Sequence, residues 1–120
     1  MFMLRVNSKL NKDVYSTTET LTNKVWIDGK PIYRKTYTGN AVKSNKVILE
    51  NSAPIDKIIS VYGSSTSAYD WRWIIPNIAS GYEITCRMTT TTHELQLSFG
   101  SNYTTSDTFV VSVEYTKTTD

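Results

Sequence analysis

The sequence predicts an all-β protein, an antiparallel β-sandwich of jelly-roll-like type with about 8–10 short strands. Three observations lead to this fold class. Apolar and polar residues alternate with a period of two along most of the chain, and helical periodicity is hard to find. Short turn clusters separate the alternating runs roughly every 8–12 residues. Thr is abundant, as are aromatic residues (eight Tyr and three Trp), and these types suit strand surfaces.

Each predicted strand coincides with an apolar or β-prone run. In chain order the runs are MFMLRV, DVYS, KVWI, PIYRKTY, KVILE, KIISVYG, YDWRWII, YEITCRM, ELQLSF and DTFVVSVEY. Turn pairs such as Asn51-Ser52 and Gly100-Ser101 lie between them. No linker or internal repeat divides the 120 residues. We therefore expect one sandwich domain at residues 15–120, preceded by a leader or docking segment at residues 1–14.

The last two runs predict a buried and an exposed face most clearly. The residues expected inside are Leu95, Leu97 and Phe99 in the first run, and Phe109, Val111, Val113 and Tyr115 in the second. The residues that alternate with them, Val110, Ser112, Glu114 and Thr116 among others, are expected to face solvent. The earlier, more evenly apolar runs add Val47, Leu49, Ile59 and Val61 to the predicted core.

The stretch VWIDGKPIYRKTYTG is interpreted as a hairpin. Asp28-Gly29 is a preferred pair for a two-residue type I′ loop, in which both central residues need positive φ. That register places Val25 opposite Ile32 and Trp26 opposite Pro31. Because proline has no N–H to donate, Pro31 predicts an edge strand or a departure from the sheet.

Composition excludes several classes of function. The net charge is +2, from 13 basic and 11 acidic residues that are spread along the chain, so no basic face for nucleic acid is predicted. No apolar run reaches the roughly 18 residues of a membrane span. The single cysteine, Cys86, forms no intrachain disulfide, and its apolar alternation with Ile84 and Met88 predicts a small buried hydrophobe.

No catalytic or metal site is predicted. His93, the only histidine, is interpreted as an exposed residue at a strand start, without a nucleophile elbow. Zinc needs three or four ligands, which one His and one Cys do not supply. A pair of glycosidase carboxylates is defined in space, but a chain of this length leaves little room for a carved cleft. We therefore expect no enzymatic activity and no cofactor.

Sugar binding is the more serious candidate. Tyr69, Trp71, Arg72 and Trp73 follow a small-residue loop, GSSTSA, and a second hydroxyl-rich loop, SNYTTSD, adds Tyr103. Aromatic faces stack on the apolar side of a pyranose, and charged side chains bond its hydroxyls. The alternative is structural: strand alternation puts Tyr69, Trp71 and Trp73 on one face, as in a core or a subunit interface. Both interpretations stay open.

Two segments resemble a known family. The first is YSTTE (residues 15–19) followed by VWIDGKPIYRKTYTG (residues 25–39), and the second is VEYTKTTD (residues 113–120). Together they resemble the distal domain at the C-termini of bacteriophage and prophage tail-fibre or head-fibre proteins. In that group a YST(T/E)E…W.DGKP.Y.K stretch begins the domain and YTKTTD closes it.

The resemblance implies a β-sandwich on the tail or capsid surface of a virion, assembled in the bacterial cytoplasm and acting in host attachment. The partners that it implies are two further copies in a homotrimer, other virion structural proteins and a host cell-surface polysaccharide. It supplies no ligand-contacting residues that match position by position. The main alternative is a purely structural virion component, such as a capsid decoration or head-fibre protein. A carbohydrate-binding module attached to a hydrolase is the third possibility.

Overall fold

The structure is a computed structural model, and it describes residues 14–41, 46–50, 54–66 and 72–120. These residues form eight strands and no helix, which confirms the all-β prediction. The strands are β1 (Thr20–Val25), β2 (Pro31–Asn40), β3 (Lys46–Glu50), β4 (Ile55–Thr66), β5 (Arg72–Ile75), β6 (Ile84–Met88), β7 (Leu95–Phe99) and β8 (Thr108–Lys117). The predicted strand MFMLRV lies outside the described residues, and residues 14–16 of the run DVYS are not in a strand.

The strands form two antiparallel sheets that make a β-sandwich. The five-stranded sheet has the order β1-β2-β8-β4-β5, and the three-stranded sheet has the order β3-β7-β6. The consecutive strands β2, β3 and β4 alternate between the sheets, and β8 lies between β2 and β4. This alternation gives the sandwich its jelly-roll-like character.

The core lies between the two sheets and contains the residues that alternation placed there. Phe109, Val111, Val113 and Tyr115 of β8 are buried against Leu95, Leu97 and Phe99 of β7. Val47, Leu49 and Val61 are partly buried beside this core.

Ile59 lies outside the core, contrary to the prediction, and Ile58 packs there instead. Ile58 lies opposite Tyr115 and Ser60 lies opposite Glu114, so β4 has one extra residue at Ile59. Such a bulge reverses the alternation that the sequence pattern assumes.

The outer face of β8 differs from the prediction. Val110 is half-exposed, but Ser112, Glu114 and Thr116 are buried. The reason is that β8 is the central strand of its sheet, and side chains of neighbouring strands cover its outer face. Arg34 of β2 and Tyr62 of β4 lie over Glu114, for example.

The Asp28-Gly29 hairpin forms, but with a longer loop than predicted. Val25 lies opposite Pro31, and the Trp26 amide donates to the carbonyl of Lys30 at 2.9 Å. Gly29 alone has positive φ, at 89°, so a type I′ turn is wrong. A three-residue loop with a left-handed glycine replaces it. The edge strand is β1, while β2 lies inside the sheet and pairs with β8 from Tyr33 onward.

Candidate functional site

A groove with a volume of about 590 Å³ lies where β6 and β7 approach two glycine-bearing loops. We call it the Glu83 groove. Its wall includes Thr85 of β6 and Ser98 of β7, which lie opposite each other and alternate with the core residues Ile84 and Phe99. The groove therefore opens on the outer side of the three-stranded sheet.

Two glycines let the groove's loops approach closely. The Gly100 amide donates to the Glu83 carbonyl at 2.8 Å, and the Asn102 amide donates to the Gly81 carbonyl at 2.9 Å. A Cβ on Gly100 would lie 2.6 Å from the carbonyl carbon of Gly81, which is too close for any side chain. Gly81 also has a φ of 80°, a left-handed conformation that favours glycine. This floor therefore excludes a side chain at position 100 and favours glycine at position 81.

The lining of the Glu83 groove is mainly polar. It presents hydroxyls, one amide and one carboxylate, from Ser80, Glu83, Thr85, Ser98, Ser101 and Asn102. Hydroxyls and amides can both donate and accept hydrogen bonds, whereas a carboxylate only accepts. The volume falls within the range of small-molecule sites, and the donor and acceptor set matches the hydroxyls of a sugar.

A second groove of about 340 Å³ lies between β2 and β3. It combines the hydroxyls of Thr36 and Thr38 with the apolar side chains of Val47 and Leu49. The Tyr37 ring also lines it, but the phenol is bonded to Glu50 at 3.2 Å. Burial and the neighbouring carboxylate raise the Tyr37 pKa, so this phenol stays protonated.

Arg72 is the predicted sugar contact that the structure places at the surface. It is exposed and lines a cleft with the hydroxyl residues Ser64, Thr66 and Thr108. The cleft has a volume of only about 70 Å³, well below the roughly 300 Å³ of a typical ligand pocket. Arg72 is not among the residues that line the Glu83 groove.

Trp73 and Tyr103 meet in an aromatic cluster. The Trp73 ring stacks on Tyr82 at 4.7 Å between centroids, and Tyr82 contacts Tyr103 edge-on at 5.6 Å. Tyr103 is fully buried, and its hydroxyl donates to the Tyr82 carbonyl at 3.1 Å. It thus has no surface to offer a ligand. Tyr69 and Trp71, the other two predicted contacts, lie outside the described residues.

Sequence reasoning missed the residues of the Glu83 groove. Their signal is the pair of glycine-bearing turns, one before β6 and one after β7. The sequence indicates both turns but does not show that they lie side by side. Gly81 comes beside Asn102 only when β6 and β7 pair.

The segment of residues 15–39 contacts the C-terminal segment of residues 113–120. Glu114 accepts hydrogen bonds from Arg34 at 2.7 Å, Tyr62 at 2.7 Å and Lys24 at 3.0 Å, and the Arg34 guanidinium lies 4.3 Å from the centre of the Tyr15 ring. We call these five residues the Arg34 cluster. Burial raises the Glu114 pKa, but the hydrogen bonds from the three donor residues outweigh it, so that the pKa lies below its ordinary value.

Hydrogen bonds and a cation–π contact also hold the C-terminal segment against the earlier strands. Tyr115 and Lys117 both donate to the carboxylate of Glu19, and the Lys117 ammonium lies 4.2 Å from the centre of the Tyr33 ring. The Lys30 ammonium donates to the Lys117 carbonyl at 3.1 Å. Burial and the bond to Glu19 raise the Tyr115 pKa. These residues stabilise the contact between β8 and residues 19–33, and their side chains are occupied there.

In the described ranges of the chain, neither His93 nor Cys86 lies in a group of side chains arranged for catalysis. His93 lies in the turn before β7 with a φ of 57° and is half-buried rather than exposed. Cys86 packs partly buried against the core, and burial raises its pKa to about 11. Among the residues that the structure describes, no three His, Cys, Asp or Glu form a metal-binding group, and no helix could cross a membrane.

Fold and site together define a two-sheet β-sandwich with a polar groove on the outer side of its smaller sheet. No family model matches the chain, and neither does any curated protein or solved structure with which it was compared.

Proposed function

We propose that the chain is a bacteriophage virion-surface domain that acts in host attachment by binding a bacterial surface saccharide in the Glu83 groove. The observation that carries the proposal is the groove's polar lining on a rigid floor, in which four hydroxyl side chains, Asn102 and Glu83 converge. The resemblance of residues 15–39 and 113–120 to phage fibre domains supports the virion setting.

The proposal is one of binding without turnover. Paired strands position the backbone of Thr85 and Ser98, and the bonded loops hold the backbone of Glu83 and Asn102, so little backbone ordering is needed when a sugar binds. A homotrimer belongs to the proposal because several copies on one virion compensate for weak single sites.

A paired binding and adsorption assay tests the proposal. Asn102→Ala with Glu83→Ala removes the amide and the carboxylate while the loop backbone stays bonded. We expect about tenfold or greater loss of saccharide binding on a glycan array, since each lost polar contact costs about 1 kcal/mol. Arg72→Ala examines the sugar contact predicted from the sequence and should leave binding intact. Full binding by the double variant would refute the groove assignment.

A purely structural virion component is the second candidate, and one observation favours it. Leu21 and Val25 of the edge strand β1 are each 64% exposed, and Ile27 in the adjoining turn is 91% exposed. Apolar side chains beside the edge strand of the described sheet suit a contact with another protein subunit. Normal host adsorption by virions without this protein would favour the structural role.

A further inference from the structure

We infer that the Glu83 groove selects a saccharide that carries an ammonium group, a hexosamine with a free amine, over its neutral and acidic counterparts. The inference rests on the proposed function, because it names the ligand class of that same site. Its starting point is charge: among the described residues that line the groove, Glu83 alone is charged.

The Glu83 carboxylate differs from the other glutamates in its bonding. Glu114 accepts hydrogen bonds from Arg34, Glu19 from Lys117, Glu50 from Lys35 and Glu94 from Gln96. Within the part of the chain that the structure describes, no hydrogen bond or ion pair reaches the Glu83 carboxylate. Its backbone carbonyl is bonded to Gly100, and its carboxylate lies beside Gly100 on the wall of the groove.

The groove complements a sugar hydroxyl or ammonium, but Glu83 repels a second carboxylate. Ser98, Ser101 and Asn102 can donate or accept, so they match the neutral hydroxyls of any pyranose. An ammonium adds a charge-assisted hydrogen bond to Glu83, which is stronger than a neutral one. A uronate would instead bring a second acceptor of like charge into the groove.

A preference for an amino sugar must arise within the groove. The chain carries a net charge of +2, so its overall field repels a cationic polymer weakly instead of attracting it. Tighter binding of an amino sugar would therefore reflect the Glu83 carboxylate and not the net charge of the protein.

Three oligosaccharides of equal length test the inference by titration calorimetry on the full chain. They are an oligomer of glucosamine, its fully N-acetylated counterpart and an oligoglucuronate, at low salt and about pH 6, where an amine is protonated. We expect the glucosamine oligomer to bind about fivefold more tightly than the acetylated one, and the glucuronate most weakly.

Glu83→Gln should remove this difference while binding of the acetylated oligomer persists. The matched control is Glu94→Gln, which removes one carboxylate just before β7, at a residue bonded to Gln96 and outside the groove. The control should keep the preference of the unaltered chain.

Each other result has a distinct meaning. Equal affinity for the glucosamine and acetylated oligomers, or a preference that survives in Glu83→Gln, overturns the inference and leaves saccharide binding intact. Failure of all three oligomers to bind a folded chain overturns the proposed function as well. Competition by oligolysine as strong as that by the glucosamine oligomer would assign the site to a peptide ammonium and overturn the saccharide class.

Discussion

Arg34 and Glu114 form a buried ion pair on the outer face of the five-stranded sheet, with 2.7 Å between Nη2 and Oε2. The two residues lie opposite each other on adjacent strands, and both side chains are nearly inaccessible to solvent. Tyr62 bonds the same carboxylate oxygen, and the Tyr15 ring covers the guanidinium. A charge pair in this setting is stable only while both partners remain.

Glu114→Gln should therefore destabilise the fold by about 3 kcal/mol, because it leaves the Arg34 charge buried and uncompensated. Urea denaturation measures the free energy of unfolding. Lys24→Ala is the control: the Lys24 side chain is 54% exposed, and its bond to Glu114 should contribute under about 1 kcal/mol. Equal stability of Glu114→Gln and the unaltered chain would contradict this account of the Arg34 cluster.

The same carboxylate predicts an acid-sensitive stability. The Glu114 pKa is lowered in the fold, because its hydrogen bonds outweigh the effect of burial. Its stabilising contribution is complete above the unfolded pKa of about 4.3, and it is lost as the pH falls through the lower, folded pKa. We expect the free energy of unfolding to decline from about pH 5 downward, and more gently in Glu114→Gln. Parallel pH profiles for the two chains would show that other groups control the loss of stability in acid.

The floor of the Glu83 groove predicts a sharp contrast between two glycines. Gly100→Ala should cost about 2 kcal/mol and weaken saccharide binding, since its Cβ would lie 2.5 Å from the Gly81 carbonyl oxygen. Gly29→Ala should cost about 1 kcal/mol through its positive φ alone, because nothing lies within 4 Å of its Cβ. Thermal unfolding and glycan binding of both variants measure the contrast. Undiminished binding by Gly100→Ala would argue against this groove as the site.

Most of the fold could be predicted because period-two alternation survives in the strands themselves. KVILE matches β3 residue for residue, and ELQLSF contains all of β7. The errors occur where tertiary structure overrides the pattern. The bulge at Ile59 shifts the inward residue to Ile58, and the position of β8 at the sheet centre buries Glu114 on a face expected to be exposed.

The candidate site was harder to predict than the fold, because it depends on contacts between distant turns. Aromatic residues drew attention to Trp73 and Tyr103, yet these two meet around Tyr82, and Tyr103 is fully buried. Gly81 and Asn102 are unremarkable turn residues until strand pairing brings them together. Local propensity can identify such turns but does not say which of them share a surface.

Cys86 should react slowly in the folded chain. Its pKa of about 11 leaves about 0.1% thiolate at about pH 8, compared with roughly a quarter for an unperturbed cysteine. We expect iodoacetamide to modify it about two orders of magnitude more slowly than free cysteine, with the ordinary rate restored in urea. Rapid labelling under native conditions would mean that the thiol is not held in the apolar environment that the structure gives it.

The exposed apolar residues beside the β1 edge predict which substitutions would disrupt a trimer. Leu21→Lys with Ile27→Lys places two charges at this edge, and charged edges oppose pairing with another chain. If the chain forms a trimer through this surface, light scattering after size exclusion should give a trimer mass for the unaltered chain and a monomer mass for the double variant. Stability should change by about 0.5 kcal/mol or less, since both side chains are exposed.

Ile78→Lys is the matched control, because Ile78 is as exposed as Ile27 but lies in the loop between β5 and β6. The Ile78→Lys variant should remain trimeric. A monomeric unaltered chain at every concentration would refute the trimer, and a trimeric double variant would place the contact elsewhere on the sandwich.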